Sequence, residues 1–267
     1  NSDLITLLNE DRRVINPFAI LGLIDSPENH KKCSEIFVSD KFKDKELGIK
    51  KYKKKKTEKI KLGYFSPDFR NHPMLFLMMD TFKYHDKSKF EVYAFSFGPE
   101  AKGEFYDEVK SFFTKFINVR NLSDTDLIQL SRQMKIDIAI DLCAYTAYSR
   151  AKIFSSRVAP IQINYLGYPG TMGAKFMDVI IADNIVIPER DRKFYTERVV
   201  NLPNCYQACP KNLPMSEKKF SRSDVGLPDE KIVFCNFNAN FKNTPDMFSV
   251  WTNIMKKVPN SVLWLLK

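Results

Sequence analysis

The segment SPDFRNHP, residues 66–73, places His72 directly before a proline. Proline is favoured in the first turn of a helix, so His72 is predicted to lie at a helix N-terminus. The positive end of the helix dipole lowers the pKa of an imidazole there and keeps the ring neutral. A neutral histidine can act as a general base or hydrogen-bond a ligand hydroxyl, and a histidine that only caps the helix is an equally good interpretation.

A glycine-rich segment, residues 166–173 (LGYPGTMG), follows another apolar run. Its three glycines, its proline and Thr171 predict a tight loop whose main-chain N–H groups can approach a ligand closely. The spacing is not G-x-G-x-x-G and no clear helix follows, so the segment does not indicate a dinucleotide site. Taken alone, it is more typical of an ordinary turn.

The segment CNFNANFK, residues 235–242, lies between an apolar run and a helix predicted to begin at Thr244 and Pro245. Lys242 adds positive charge at a helix N-terminus, where anions are already favoured. This arrangement suits a diphosphate and a leaving group that gains negative charge in the transition state. Lysine is common before helices, so the motif alone does not separate a ligand contact from a surface charge.

Acidic residues at two other places in the sequence are further candidates. Asp141 and Thr146 are predicted at or beyond the end of a strand, where a carboxylate could position an acceptor hydroxyl or balance His72. Asp137, within the strand, is more typical of a structural residue. Residues 124–126 (DTD) form a D-x-D triplet, but Ser123 before them completes a helix capping box, so no metal site is predicted.

The elements that must position these residues alternate between short apolar runs and amphipathic segments. Strands are predicted at 60–66, 90–97, 136–142, 161–166, 179–183 and 199–202, and helices at about 73–84, 103–113 and 123–134. This alternation predicts βαβ units that form a parallel sheet covered by helices. Open parallel sheets bind ligands beyond the carboxyl ends of their strands, and the candidate residues follow strands.

Five parts are predicted along the chain. They are a helical lead-in at 1–49, a basic linker at 50–59, a Rossmann-like domain at 60–210, a proline-rich connector at 211–230 and the start of a second Rossmann-like domain at 231–267. The second domain is predicted to contain a strand at 231–237, a helix at 245–258 and a strand at 262–266. The predicted fold class is therefore α/β.

The net charge of +10 is concentrated in the lysine-rich run at 50–61. A solvated linker is the favoured interpretation of this run, ahead of a phosphate-binding or membrane-surface patch. A nucleic-acid partner is unlikely, because no recognition element accompanies the lysines. No apolar run approaches the roughly 20 residues of a membrane span, so no membrane association is expected.

The five cysteines, an odd number, include no C-x-x-C pair. They do not have the spacing of a zinc site and are expected to be reduced thiols. Together with the absence of a signal segment at the start, this predicts a cytoplasmic protein.

Four stretches together resemble one family. They are GYFSPDFRNHP at 63–73, APIQINYLGYPGTMGAKFMDVIIAD at 159–183, CNFNANFK at 235–242 and VPNSVLWLL at 258–266. They are similar to the catalytic region of O-GlcNAc transferases and their SPINDLY relatives, and the second stretch is highly specific. The resemblance extends from about residue 61 to residue 267. Residues 14–38 also resemble the lead-in of bacterial members, between the tetratricopeptide repeats and the catalytic region.

The resemblance implies a GT-B fold and inverting, metal-independent transfer of GlcNAc from UDP-GlcNAc to Ser or Thr of protein substrates. No cofactor beyond the UDP-sugar co-substrate is implied. His72 matches the active-site histidine of the family, and Lys242 matches the lysine that contacts the donor diphosphate. Asp141 completes the predicted catalytic set. The predicted donor-binding residues are Tyr168, Pro169, Gly170 and Thr171, which match the loop lining the sugar pocket, and Asn238.

Two departures from the family pattern keep alternatives open. Ala239 stands where O-GlcNAc transferases usually carry Gln near the nucleotide, so a SPINDLY-like O-fucosyltransferase that uses GDP-fucose is an alternative. A non-catalytic, repeat-linked interaction scaffold is another alternative, although intact His72 and Lys242 favour an enzyme.

The second departure is that the phosphate-binding segment of the second domain is expected beyond residue 267. Residues 1–267 by themselves are therefore expected to be inactive.

Overall fold

The structure is a computed structural model that describes residues 2–42, 49, 52, 57–211 and 216–266. It divides into two compact units, residues 1–212 and 213–267. The five-part division predicted from the sequence is finer and stays a prediction. Most of the basic linker at 50–59 lies outside the described residues.

A seven-stranded parallel sheet forms the centre of the first unit, in the order β3-β2-β1-β4-β5-β6-β7. Its strands are β1 (Ile60–Ser66), β2 (Phe90–Ser96), β3 (Lys115–Asn118), β4 (Ile138–Asp141), β5 (Ile161–Asn164), β6 (Val179–Ala182) and β7 (Arg198–Asn201). The chain order reverses between β1 and β4, which makes this pair the topological switch point of the sheet. Ligands of open α/β sheets bind beyond the carboxyl ends of strands at such a point.

Seven α-helices and one 3-10 helix, Glu189–Phe194, lie in the described part of the first unit. The α-helices are α1 (Ser2–Asn9), α2 (Pro17–Ile20), α3 (Pro27–Lys41), α4 (Pro73–Lys83), α5 (Glu104–Ser111), α6 (Asp124–Gln133) and α7 (Lys152–Ser155). Both α2 and α3 begin with a polar N-cap side chain, Asn16 or Ser26, followed by proline. Such a start satisfies a free N–H group and presets the first helical φ angle.

Alternate residues of β1 point to opposite faces of the sheet, and both faces are buried. Phe65 stacks on Phe95 of β2, with ring centroids 4.4 Å apart, in one apolar cluster. Tyr64 packs against Phe82 of α4 in the other cluster, with centroids 4.9 Å apart. Burial on both faces is typical of a central strand in a parallel sheet with helices on both sides.

The second unit contains one βαβ unit in its described residues. The strands β8 (Ile232–Asn236) and β9 (Ser261–Leu265) pair in parallel, and α8 (Pro245–Lys257) connects them. Thr244 caps α8 by accepting a hydrogen bond from the Met247 N–H at 3.4 Å. The rings of Phe237 and Trp264 meet edge to face at 4.9 Å.

The predicted strands and helices agree with this structure to within about three residues at each end. One strand was missed, β3, a four-residue edge strand (KFIN) whose residues are half-buried or exposed. The short helix α7 was also missed. Strand β4 begins at Ile138 rather than at the predicted residue 136, and the Asp137 side chain accepts a hydrogen bond from the Lys61 N–H at 2.7 Å.

Two features bear on the predicted environment of the protein. Within the described residues, no helix combines the length and apolar character needed to cross a bilayer. All five cysteines are free thiols, with Cys33 and Cys143 buried and the other three exposed.

Candidate active site

The loops at the carboxyl edge of the sheet touch in two pairs, those after β1 and β2 and those after β4 and β5. A Cβ atom at Gly98, after β2, would lie 1.7 Å from the carbonyl oxygen of Pro67, after β1. A Cβ atom at Gly167, after β5, would lie 2.1 Å from the carbonyl oxygen of Leu142, after β4. Only glycine permits such approaches, so Gly98 holds the loops after β1 and β2 together and Gly167 holds the loops after β4 and β5 together.

His72 is the N-cap residue of α4, as the sequence predicts. Its Nδ1 atom accepts a hydrogen bond from the Met74 N–H at 3.2 Å, and 37% of the side chain is exposed. Burial lowers the pKa of His72 below the ordinary value of 6.5; the nearby Asp68 carboxylate raises this pKa and Arg70 lowers it. The ring therefore favours the neutral form.

Asp68 and Arg70 form a polar cluster with His72 that the sequence analysis missed, although both lie in the motif quoted for it. The Asp68 carboxylate is almost fully buried and accepts a hydrogen bond from Arg70 Nη2 at 2.9 Å. Its other oxygen lies 3.7 Å from His72 Nδ1. The hydroxyl of Ser66, the last residue of β1, accepts a hydrogen bond from the Asp68 N–H and holds the turn.

The hydrogen bond at Nδ1 determines which nitrogen of His72 carries the proton. A main-chain N–H group is always a donor, so Nδ1 must be the acceptor and the neutral ring carries its hydrogen on Nε2. His72 therefore presents a donor at Nε2. This geometry favours a hydrogen bond to a ligand oxygen over proton abstraction by Nε2.

We expect His72 to titrate below pH 6.5 and to show the Nε2–H tautomer in ¹⁵N NMR spectra. A folded pKa below the unfolded value means that this group stabilises the fold above pH 6.5. That contribution is lost as the pH falls through the folded pKa. Asp68→Asn should lower the pKa of His72 further, because it removes the carboxylate that raises it. An Nδ1–H tautomer or a pKa above 6.5 would contradict the assignment.

Asp141 ends β4 next to β1, but its side chain is fully buried. One carboxylate oxygen accepts hydrogen bonds from the main-chain N–H groups of Cys143 and Ala144, both at 3.0 Å. The other has no hydrogen-bond partner within the described residues. Burial raises the pKa of Asp141, and the hydrogen bonds oppose this rise. In this structure Asp141 stabilises the turn after β4, and its predicted catalytic role stays a prediction.

Buried side chains hold the glycine-rich loop after β5. Tyr168 is only 1% exposed; its hydroxyl donates to the carbonyl oxygen of Thr171 at 3.1 Å and accepts from Ser34 of α3 at 3.3 Å. The Nδ2 group of Asn164 donates to the carbonyl oxygens of Tyr168 and Gly170 at 3.1 and 3.2 Å. A ligand contact from Tyr168 would therefore have to use main-chain atoms.

Glu197 is the positioning residue of this loop, and the sequence analysis missed it. Its carboxylate is buried and accepts hydrogen bonds from the Thr171 hydroxyl and the Met172 N–H, both at 2.6 Å. These bonds tie Thr171 into the interior. No local pattern marks Glu197, because its partners lie 25 and 26 residues away along the chain.

Ser123 caps α6, as predicted, and the Asp126 carboxylate of the D-x-D triplet accepts from the Ser123 hydroxyl rather than from its main-chain N–H group. The Ser123 hydroxyl accepts from the Asp126 N–H at 3.1 Å and donates to its carboxylate at 2.7 Å. Asp124 accepts a hydrogen bond from Arg150 Nε at 2.8 Å. Both carboxylates are therefore engaged in contacts within the protein.

In the second unit, an asparagine network shapes the loop that carries Lys242. Asn236 donates to the side chain of Asn243 at 2.8 Å and accepts from the main-chain and side-chain N–H groups of Asn238 at 3.1 and 2.7 Å. A 3-10 turn, Asn240–Lys242, follows. Lys242 is exposed and lies two residues before the N-cap Thr244. Its ammonium group is thus available to an anion near the N-terminus of α8.

The family model of glycosyl transferase family 41 matches residues 40–213 and 207–267, which together span most of the chain. This chain belongs to glycosyl transferase family 41. It is 37% identical to the Arabidopsis thaliana probable UDP-N-acetylglucosamine–peptide N-acetylglucosaminyltransferase SEC over 215 residues, which are 79% of this chain and 22% of that protein. It is 29% identical to Arabidopsis thaliana SPINDLY, over 76% of this chain and 22% of that protein.

A solved mutant of the Thermobaculum terrenum O-GlcNAc transferase has a similar fold, with a TM-score of 0.77. The identity is 23%, and the match covers 93% of this chain and 48% of the other. This likeness confirms the predicted α/β fold class. This chain spans about a fifth of the length of the two Arabidopsis thaliana relatives, SEC and SPINDLY.

Membership of family 41 confirms the resemblance from which site residues were assigned. His72 and Asp141 follow or end the neighbouring strands β1 and β4, at the switch point of the first sheet. Lys242 and Asn238 lie in the second unit. The catalytic and donor-binding roles of these residues, and of the loop at 168–171, stay predictions.

Proposed function

We propose that this chain contributes to a family 41 enzyme that transfers GlcNAc from UDP-GlcNAc to Ser or Thr side chains of proteins. The observation that carries the proposal is His72 of a family 41 chain at the switch point of the sheet, where the bond accepted by Nδ1 leaves a donor at Nε2 without a partner among the described residues. Helix capping uses only Nδ1 of His72, so Nε2 remains for a ligand.

The proposed reaction is an inverting displacement. The acceptor hydroxyl attacks the anomeric carbon from the face opposite the nucleotide, the bond from that carbon to the diphosphate breaks, and the hydroxyl proton passes to solvent water. The Nε2–H group of His72 hydrogen-bonds an oxygen of the sugar or of the acceptor and so orients it. Lys242 meets the diphosphate and stabilises the negative charge that develops as the nucleotide leaves.

GlcNAc is the proposed sugar because identity is higher to SEC than to SPINDLY, 37% against 29%. The names of both relatives specify UDP-N-acetylglucosamine. We therefore expect the natural gene product that carries this chain to bind UDP more tightly than GDP in calorimetry. A tenfold preference for GDP, about 1.4 kcal/mol, would move the assignment to O-fucosyl transfer.

Hydrolysis of the two donors tests the activity directly. The gene product is expected to hydrolyse UDP-GlcNAc slowly without acceptor and to label Ser- or Thr-containing peptides when they are added. Faster turnover of GDP-fucose would favour the SPINDLY-like alternative. Failure to turn over or bind either donor would favour the non-catalytic scaffold.

A further inference from the structure

A cavity of about 220 Å³ opens at the carboxyl ends of β2 and β3, between α4 and α5 of the first unit. It is separate from the hydrogen-bonded cluster of Asp68, Arg70 and His72. Its apolar wall includes Phe69 and Phe116, whose rings pack edge to face with centroids 5.3 Å apart. Leu75 of α4 and Val109 of α5 extend this wall.

Ser96, the last residue of β2, contributes a hydroxyl that the fold does not use. The residue is only 6% exposed and lines the cavity. Its main chain belongs to the sheet, where its carbonyl oxygen accepts from the Val119 N–H at 2.8 Å. Its hydroxyl makes no hydrogen bond with any part of the chain that the structure describes. Ser96 Oγ is not among the buried side-chain atoms that lack a partner, so the oxygen opens onto the cavity and can exchange a hydrogen bond with a group that enters it.

The size and charge of the cavity restrict its occupant. Small-molecule sites usually begin at roughly 300 Å³, so this cavity suits one amino-acid side chain better than a whole metabolite. Glu100 and Lys110 give the mouth charges of both signs, and Lys110 is paired with Asp107 at 3.2 Å. This mixed rim does not favour an anion or a cation.

The cavity adjoins the candidate active site through a shared segment. Phe69 lies three residues before His72 in the loop after β1, and Leu75 lies three residues after it on α4. The close approach of Gly98 to Pro67 holds the loop with Glu100 and Ala101 against the loop with His72. The cavity is therefore a candidate site for a side chain next to the Ser or Thr that reaches His72.

We propose that this cavity is a specificity subsite for a tyrosine side chain of the acceptor polypeptide. The ring packs on Phe69 and Phe116, and its hydroxyl exchanges a hydrogen bond with Ser96 Oγ. This inference rests on the proposed function, because it takes the polypeptide to be the sugar acceptor. It identifies a preferred neighbour of the modified Ser or Thr.

A set of fluorescein-labelled peptides tests the subsite. Each peptide has one Ser in an Ala/Gly/Lys background and one Tyr, which is moved through every position within four residues of the Ser. Fluorescence anisotropy with the natural gene product and saturating UDP measures peptide binding. One Tyr position should bind at least about tenfold more tightly than Ala there, the effect expected of a buried aromatic anchor. Phe at that position should lie between Tyr and Ala.

Two variants and one control connect this preference to the cavity. Ala101→Trp places a bulky ring in the cavity lining and should lower the roughly tenfold preference for Tyr over Ala to about equal binding of the two peptides. Lys102→Trp adds the same ring at the exposed next residue, which does not line the cavity, and should change binding less than about twofold. Ser96→Ala should remove the difference between Tyr and Phe, expected at about threefold to tenfold.

Three results would overturn the proposal or part of it. Equal binding of Tyr, Phe and Ala peptides at every position would reject the subsite. If Ala101→Trp unfolds thermally like the wild type and still prefers Tyr, the Tyr-binding subsite lies elsewhere than in this cavity. Equal binding of Tyr and Phe by the wild type would reject the role of Ser96.

Donor hydrolysis separates this inference from the proposed function. Ala101→Trp and Lys102→Trp should hydrolyse UDP-GlcNAc without acceptor as fast as the wild type does. A wild-type protein that shows the Tyr preference but turns over no donor would contradict the proposed sugar transfer and retain the peptide subsite. Sugar transfer to peptides without any Tyr preference would support the proposed function and reject the peptide subsite.

Discussion

Lys242→Ala in the natural gene product is expected to lower kcat for sugar transfer by about a hundredfold or more, a loss of roughly 2.7 kcal/mol. The exposed ammonium group lies just before α8, and the free N–H groups at a helix N-terminus already favour an anion. If Lys242 meets the diphosphate, its charge matters most when the nucleotide departs. The measured kcat should therefore fall more than the affinity for UDP.

Two further substitutions separate this role from a general effect of surface charge: one keeps a positive charge at position 242, and the other removes a lysine elsewhere on α8. Lys242→Arg should rescue little activity, because a planar guanidinium does not replace a compact ammonium in a shaped site. Lys256→Ala removes an exposed lysine from the last turn of α8 and should leave kcat within about twofold. Near-normal kcat for Lys242→Ala would show that this lysine is only a surface charge.

Glu197→Ala is expected to destabilise the first unit by about 3 kcal/mol or more. The substitution removes the acceptor of the short hydrogen bonds from Thr171 and the Met172 N–H and leaves both donors buried without it. It also releases the loop at 168–173, so the affinity for the donor sugar should fall. Glu189→Ala is the control, because Glu189 is exposed and its salt bridge to Arg192 is worth less than about 1 kcal/mol.

Glu197→Gln should cost less than Glu197→Ala, because the amide keeps one acceptor oxygen and the shape of the side chain. Burial raises the pKa of Glu197 above the ordinary value of 4.5, and its hydrogen bonds oppose the rise. A raised folded pKa means that this carboxyl stabilises the fold below pH 4.5. The contribution is lost as the pH rises through the folded pKa. The free energy of unfolding of the wild type, relative to that of Glu197→Gln, should therefore fall as the pH rises from 4.5 through the folded pKa of Glu197.

The positions of the tryptophans provide an internal control for these unfolding measurements. Both of them, Trp251 and Trp264, lie in the second unit. Far-ultraviolet circular dichroism should show earlier unfolding of the first unit in Glu197→Ala, while the fluorescence of these two tryptophans follows the second unit. Coincident, unshifted transitions in both signals would contradict the structural role of Glu197.

The features that the sequence predicted correctly are those with a local cause. A proline after His72 and after Thr244 marks each helix start, because proline suits the first turn and the preceding side chain caps a free N–H group. Apolar runs predicted every strand of the first sheet except β3, whose four residues carry too few buried side chains for a periodic signal. The family motifs then indicated which strand ends to examine.

The tertiary structure decided which side chains of those motifs are free to meet a ligand. Tyr168 and Thr171 belong to the predicted donor loop, yet contacts from α3 and from Glu197 bury both side chains. Ser96 has no distinguishing sequence pattern and became a candidate because α4 and α5 leave a cavity above the end of β2. Caps, turns and alternation depend on neighbours a few residues away, which the sequence displays. Burial and pairing depend on residues that the order of the strands brings together, and that order is set only when the whole sheet packs.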